Sequence, residues 1–442
     1  MCGNGQVEAG EECDDANDVD IGDVCHNDCT KPRCFDGVFE IGETCFDGQF
    51  TTYPALPSGA SATSATRMVL ADCDADGDDD VVVLGIKTEG GIPVVRRAVL
   101  TTLVNEGGTL VPATPLDDTP AATVSPAGGT RLEVGNFATN PADDVVAVIG
   151  DTFVVGFGNG CAAWSYDQAR QMPAPIVAAS ALPRQQGRDH VAVAYEEGAT
   201  TSFIHYQYTG VWTTMQDPNP NGQLGDMVAA DLNGDGFGDV VYTSMSPRRV
   251  SVWLFFPPQG TFVTEPDIYP LGSGTTGAAP GVVAIADMGW APSGPPNDHP
   301  DLLTLNLSDE TITVLKNDEA DPPIFNLFQD DQLVVGQKST LEARKPRDFA
   351  LSDIDLDGDR DVFVINDGDT EYPPSLMLLM NVAQGGFANA DTSLFPKLAL
   401  SYPHELPKRA LTVSVSDMNG DGVPDVVMLL EGDEVAVALA SP

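Results

Sequence analysis

Basic side chains are scarce: 21 Lys and Arg face 66 Asp and Glu, for a formal charge of −45 on 442 residues. A protein that grips phosphate backbone needs a basic stripe to release counterions, and no Lys/Arg cluster here supplies one. Nucleic acid is thereby excluded as a partner, and anionic membrane surfaces are disfavoured. Aromatics are only 7% while hydrophobic residues reach 42%, so a core must be mostly aliphatic. No apolar run approaches the ~18 residues of a membrane helix, and no transmembrane segment is expected. Helical periodicity is also missing, because 44 Gly and 34 Pro punctuate the chain throughout. Histidine is rare, at His26, His190, His205, His299 and His404. His404-Glu405 lacks the second histidine of H-E-x-x-H, and neither a G-x-S-x-G elbow nor a P-loop occurs. No catalytic or organic-cofactor residue is therefore assigned.

The cysteines are unevenly spread. Cys2, Cys13, Cys25, Cys29, Cys34 and Cys45 crowd the start, and Cys73 and Cys161 stand apart. An even number in a Gly/Asp-rich segment without an apolar core reads as a disulfide framework formed in an oxidising compartment. Zinc fits less well, since no C-x2-C pair is present. The expected location is secreted or cell-surface, with the export signal lying outside this chain. Cys2–Cys13 and Cys34–Cys45 share spacing and flanking Gly and Glu, so pairings within each copy plus Cys25–Cys29 are the simplest of several connectivities. The run CGNGQVEAGEECDDANDVDIGDVCHNDC resembles the myxobacterial cysteine-rich repeat of exported bacterial surface proteins. A small module over 1–46 and a second domain over 47–442 follow from this. Cys73 and Cys161 either bridge two repeats of that second domain or are buried thiols.

Four segments of the second domain share one plan: LADCDADGDDDVVVL, AADLNGDGFGDVVYT, LSDIDLDGDRDVFVI and VSDMNGDGVPDVVML. Each has acids or amides at positions 1, 3, 5 and 9 of a nine-residue loop and Gly at position 6. Three degenerate copies run from Asn136 to Asp144, from Ala181 to Asp189, and from Asp287 to Asp301. Loop starts near 72, 136, 181, 231, 287, 353 and 417 recur every 45 to 66 residues. A second strand follows each loop, and an outer segment such as QGTFVTEPDIY or GGFANADTSLF comes next. Four short strands per unit at this period predict an all-β, seven-bladed propeller. Runs such as Val81-Val82-Val83-Leu84 are apolar on both faces, as in a sheet sandwiched between neighbours. The last unit lacks an outer strand, and the segment around Phe50 and Tyr53 is expected to supply it. Pairing of the two ends would then close the ring and remove open sheet edges.

Carboxylates ~4 Å apart repel by about 4 kcal/mol per pair at an effective dielectric near 20. Asp72, Asp74, Asp76 and Asp80 in one turn therefore call for a hard divalent cation. Calcium, which accepts six to eight irregular oxygens, fits better than magnesium. Position 12 of each loop is Val83, Tyr242, Val364 or Met428, so the bidentate Glu of an EF-hand is missing. The units resemble FG-GAP/VCBS repeats, the blades of integrin-like calcium-binding propellers. That resemblance implies about four Ca2+ sites, with side-chain ligands at positions 1, 3, 5 and 9 and a carbonyl at position 7. The implied sets are Asp72, Asp74, Asp76, Asp78 and Asp80; Asp231, Asn233, Asp235, Phe237 and Asp239; Asp353, Asp355, Asp357, Asp359 and Asp361; and Asp417, Asn419, Asp421, Val423 and Asp425.

The function expected is an extracellular, calcium-stabilised module for adhesion or protein contact, with an unidentified protein or glycan ligand at the cell surface. Two readings stand beside it: a carbohydrate-active enzyme of the polysaccharide-lyase kind, and a self-assembling structural subunit. His205, Tyr206, Tyr208 and Trp212 form an aromatic group in the third unit, read as inter-blade packing ahead of a sugar platform.

Overall fold

The structure, a computed structural model, describes residues 50–440 except for short internal stretches, the longest at 57–62, 119–128, 217–223, 272–279, 289–298, 335–344 and 381–398. The cysteine-rich module falls outside the described residues. Described secondary structure is all β, and it forms seven antiparallel blades in chain order.

The first strands of the blades are Thr63–Ala71, Thr130–Gly135, Ile176–Leu182, Leu224–Ala230, Pro280–Ala286, Pro346–Ser352 and Ala410–Ser416. Each contacts the first strand of the next blade, and the seventh contacts the first, so these strands surround the axis. The ring closes as the sequence predicts. Thr51–Pro54 is the outer strand of blade 7, with Thr51 opposite Val437 and Pro54 opposite Glu434. In blade 4 the outer strand is Asp267–Pro270, the end of the predicted outer segment, while Thr261–Phe262 pairs with Phe255–Phe256. In blade 6 the outer edge is made by Ala399–Leu400 and His404–Glu405, and the predicted segment 385–395 lies outside the described residues.

The core is seven slabs, one between each pair of neighbouring blades. Second strands feed both sides because successive side chains alternate. Val81 and Val83 pack toward blade 7 against Val427 and Leu429, whereas Val82 and Leu84 pack toward blade 2 against Val145 and Ala147. Asp144–Ile149 repeats the device, sending Val146 and Val148 toward blade 3. Each fully buried Val or Leu contributes about 1.5–3 kcal/mol. An unbroken aliphatic run, which would leave a two-layer sheet with an exposed apolar face, is here buried on both.

Candidate metal centres

The loops joining first and second strands all lie at one end of the ring, because every first strand runs the same way along the axis. Those of blades 1, 4 and 7 are wholly described, and they share one geometry. The position-1 carboxylate organises the turn: Asp72 accepts N–H from Asp76 and Gly77 at 3.2 and 3.1 Å. Asp231 accepts from Asp235 and Gly236 at 3.0 and 2.7 Å, and Asp417 from Asp421 and Gly422 at 3.1 and 2.7 Å. The position-5 carboxylate takes the N–H of position 7, from Asp78, Phe237 and Val423 at 2.9–3.0 Å. Position 6 is left-handed, with φ of 100°, 85° and 89° at Gly77, Gly236 and Gly422, which only glycine adopts freely. Asn233 and Asn419 each accept the N–H of position 5 through their side-chain oxygen.

Do these residues fit a cation? In blade 1, oxygens of Asp72, Asp74 and Asp80 lie within 4.8 Å of one another. Asp74 Oδ1 is buried without a hydrogen-bond partner. Burial, then the adjacent Asp76 charge, pushes the Asp74 carboxyl above its ordinary range. Converging carboxylate oxygens, one of them without a donor, suit a hard divalent cation. In blade 6, Asp353 and Asp361 are described, and Leu356 at position 4 has the same left-handed φ, 61°, as Ala75, at 64°. Asp355, Asp357 and Asp359 lie outside the described residues.

The position-9 aspartate has a second duty that spacing alone did not reveal. It is buried at the first residue of the second strand, and it braces two backbone segments. Asp80 accepts N–H from Cys73 and Asn105, Asp239 from Leu232 and Phe255, and Asp425 from Met418 and Ala440, all at 2.7–3.1 Å. Degenerate blades 2 and 5 keep this brace: Asp144 accepts from Phe137, Ala138 and Gly158, and Asp301 from Met288 and Asn317. Burial raises these carboxyls, Asp239 and Asp301 to about 7 and Asp425 to about 6. Each carboxylate oxygen has two lone-pair sites, so a brace leaves room for a cation on the same group.

Blade 3 departs from the frame read in the sequence. Ala181 and Leu182 belong to the first strand, and Leu182 pairs with His190 as Ala71 pairs with Asp80. The loop is one residue shorter than the nine-residue frame of blades 1, 2, 4, 6 and 7, and His190, not Asp189, holds position 9. Arg184 Nη1 donates to His190 Nε2 at 2.9 Å, and His190 Nδ1 lies 2.7 Å from His205 Nε2. This chain of donors requires both imidazoles to be neutral. Burial, with the Arg184 charge, holds His190 down at about 4, and burial with His190 holds His205 at about 3. The adjoining cavity is only about 10 Å³, and Phe237 and Phe255 close it. His205 also packs edge-on to Phe255 and Phe262, while Tyr206 meets Phe153. These two members of the aromatic group are therefore inter-blade packing. Tyr208 lies outside the described residues.

Neighbouring loops are joined to one another. Asp72 and Asp143 exchange hydrogen bonds at 3.1 and 2.8 Å, as do Asn136 and Asp189 at 2.8 and 2.7 Å. Gly238 donates to the Pro183 carbonyl, and Ser416 Oγ to Asp79. Cys73 and Cys161 form a disulfide from the blade 1 loop to blade 2, with Cα atoms 5.1 Å apart and a sequence separation of 88. Of the two sequence readings, the bridge is the one observed.

Comparison with known proteins agrees with this architecture. Residues 353–428 match the FG-GAP-like repeat family model. No curated protein matches the chain. Among solved structures, BBS1N, determined in complex with ARL6DN, superposes with a TM-score of 0.54 at 8% identity, covering 90% of this chain and 97% of that one. The exotype rhamnogalacturonan lyase YesX gives 0.48 at 12% identity over 91% of this chain and 76% of that one. At 8% identity the likeness to BBS1N reports the fold alone. The chain is a seven-bladed β-propeller that carries an FG-GAP-like repeat.

Proposed function

We propose that the chain is a calcium-stabilised, exported propeller that presents a rigid binding surface for a protein or glycan at the bacterial cell surface. The observation that carries the reading is the convergence of Asp72, Asp74 and Asp80 around a buried oxygen without a donor. The same backbone geometry recurs in the loops of blades 4 and 7. Asp72, Asp74, Asp76 and Asp80 with the Asp78 carbonyl would hold the ion in blade 1, and the matching residues of blades 4, 6 and 7 would hold theirs. There the ion would supply charge neutralisation and a fixed turn. Because loops are bonded to their neighbours, an ordered loop also fixes the blade beside it. Exposed faces of a closed ring then offer binding surface, with only the short outer strand of each blade left as an edge.

The test is calorimetric titration of calcium and magnesium into the chelator-stripped chain, with thermal melting in each state. Calcium should bind at about four sites, more tightly than magnesium, and raise the melting temperature. A melting temperature indifferent to chelation sinks the proposal. Pull-down and glycan-array binding with and without calcium would identify the ligand class.

A further inference from the structure

The end of the axis opposite the loops holds a cavity of about 510 Å³, lined mainly by first strands. The residue five places before each loop start forms a ring at one height: Arg67, Arg131, Ala178, Asp226, Val282, Asp348 and Thr412. All but Ala178 line the cavity. First strands bulge nearby, at Ala65/Arg67, Ile176/Ala178, Pro346/Asp348 and Ala410/Thr412. Carbonyls at the bulges become available, and the arginines take them. Arg131 donates to the Val177 carbonyl at 2.9 Å and Arg347 to that of Leu411 at 3.3 Å, while Arg67 donates to Thr130 at 3.1 Å. Asp226 and Asp348 accept the N–H of Val283 and Val413 in the following blade, both at 3.3 Å. The charged groups are therefore held in place before any ligand arrives.

Local charge is balanced, unlike that of the molecule as a whole, because the lining carries as many cations as acids. Arg67, Arg131, Lys345 and Arg347 line the cavity, and of its four acids Asp367 is already paired with Arg347 and Arg409 at 3.3 and 3.2 Å. Burial raises Asp226, and it pushes Glu133 up to about 8 and Asp348 to about 7, so near neutral pH those last two carry less than full charge. A cavity with three guanidinium groups and no excess of acids sits in a chain of −45. Its walls also carry apolar patches from Met68, Leu132 and Leu307. Gly281 leaves space for one of them, since a Cβ there would meet Leu307 Cδ1 at 2.4 Å.

We infer that the axial cavity is a binding site for a small sugar acid, a single carboxylate flanked by hydroxyl groups. Guanidinium forks match a carboxylate, carboxyl oxygens of Glu133 and Asp226 accept hydroxyl donors, and the apolar walls meet C–H faces. The volume falls in the usual range for small-molecule sites. This site is at the far end from the calcium loops and does not depend on them.

The full chain, kept in calcium, is titrated with glucuronate, its neutral methyl ester, glucose and sulfate, read by calorimetry. Glucuronate is expected to bind at about 1 mM or tighter, and the ester and glucose about tenfold more weakly. Arg347→Gln, at a partly exposed position, should weaken glucuronate about tenfold while the chain still unfolds cooperatively, at a melting temperature lowered by loss of the Leu411 and Asp367 contacts. If that variant fails to fold, the ester comparison still removes the same charge from the ligand side. Absence of glucuronate binding to the folded chain, equal binding of acid and ester, or sulfate binding as tightly as glucuronate each overturns the inference.

Discussion

Blades 1, 4 and 7 keep acidic loops, whereas blades 2, 3 and 5 have lost them, yet all six close on the same ring. The difference lies in what fixes the loop. In blades 1, 4 and 7 position-1, -3 and -5 side chains crowd oxygen into a turn that backbone N–H groups only partly satisfy. Blade 2 has no such crowd: Asp144 takes three N–H groups, Asp143 bonds to the blade 1 loop, and the disulfide adds a covalent tie. Blade 3 replaces the buried aspartate by a neutral histidine pair under Arg184. The lesson is that a buried position-9 group, aspartate or the histidine pair, goes with every one of these blades, whereas the acids at positions 1 to 5 are dispensable to the blade and form the layer proposed to depend on metal.

Removing that layer should give the largest effect. If the loops of blades 1, 4 and 7 hold calcium at a hundred times its Kd, each contributes about 2.7 kcal/mol, roughly 8 kcal/mol together. Melting with and without chelator measures it, and equal stability would erase the proposed distinction between the two kinds of blade. Breaking the tie between a metal-type and a degenerate loop comes next. Cys73→Ser with Cys161→Ser should cost about 4 kcal/mol in denaturant unfolding, because the bridge closes a long segment.

Asp144→Ala sharpens the contrast within a blade expected to hold no metal. Three N–H groups lose their acceptor, for about 3 kcal/mol, and the loss should be the same with or without chelator. Asp74→Ala should behave oppositely, costing stability in calcium and almost none after stripping. A calcium-dependent cost at Asp144 would break the comparison. The smallest effect concerns pH in blade 3. The folded pKa values of His190 and His205 lie below the ordinary 6.5, so the unfolded chain binds protons first on acidification. Their contribution is intact above about pH 6.5 and falls as pH drops toward 4. For His190 the loss is about 2 kcal/mol by roughly pH 5. His190→Gln should flatten that part of the stability profile relative to the parent chain. Parallel profiles would show that the pair is not held neutral.

Much of this was legible in the sequence. The Asp/Gly loops repeat at a blade-sized period, and the aliphatic runs after them announce sheets buried on both faces. The unmatched strand near Tyr53 forecast closure with the last blade. Blade 3 was misframed by one residue because its loop is shorter and its position-9 residue is not acidic; only strand pairing reveals the register. The axial ring escaped notice for a related reason. Arg67, Arg131, Asp226 and Asp348 are far apart in the chain, and their shared offset from the loops appears once the seven first strands are superimposed.

By itself the sequence determined the local elements, since turn chemistry and alternation of side chains act over a few residues. It determined the repeat number as well, because each loop carries its own strands. Tertiary structure decided what the repeats do to one another: which loop bonds to which, which cysteines meet, and which charges face each other across the axis. Those are contacts between residues tens to hundreds apart, and closing the ring is what brings them within reach.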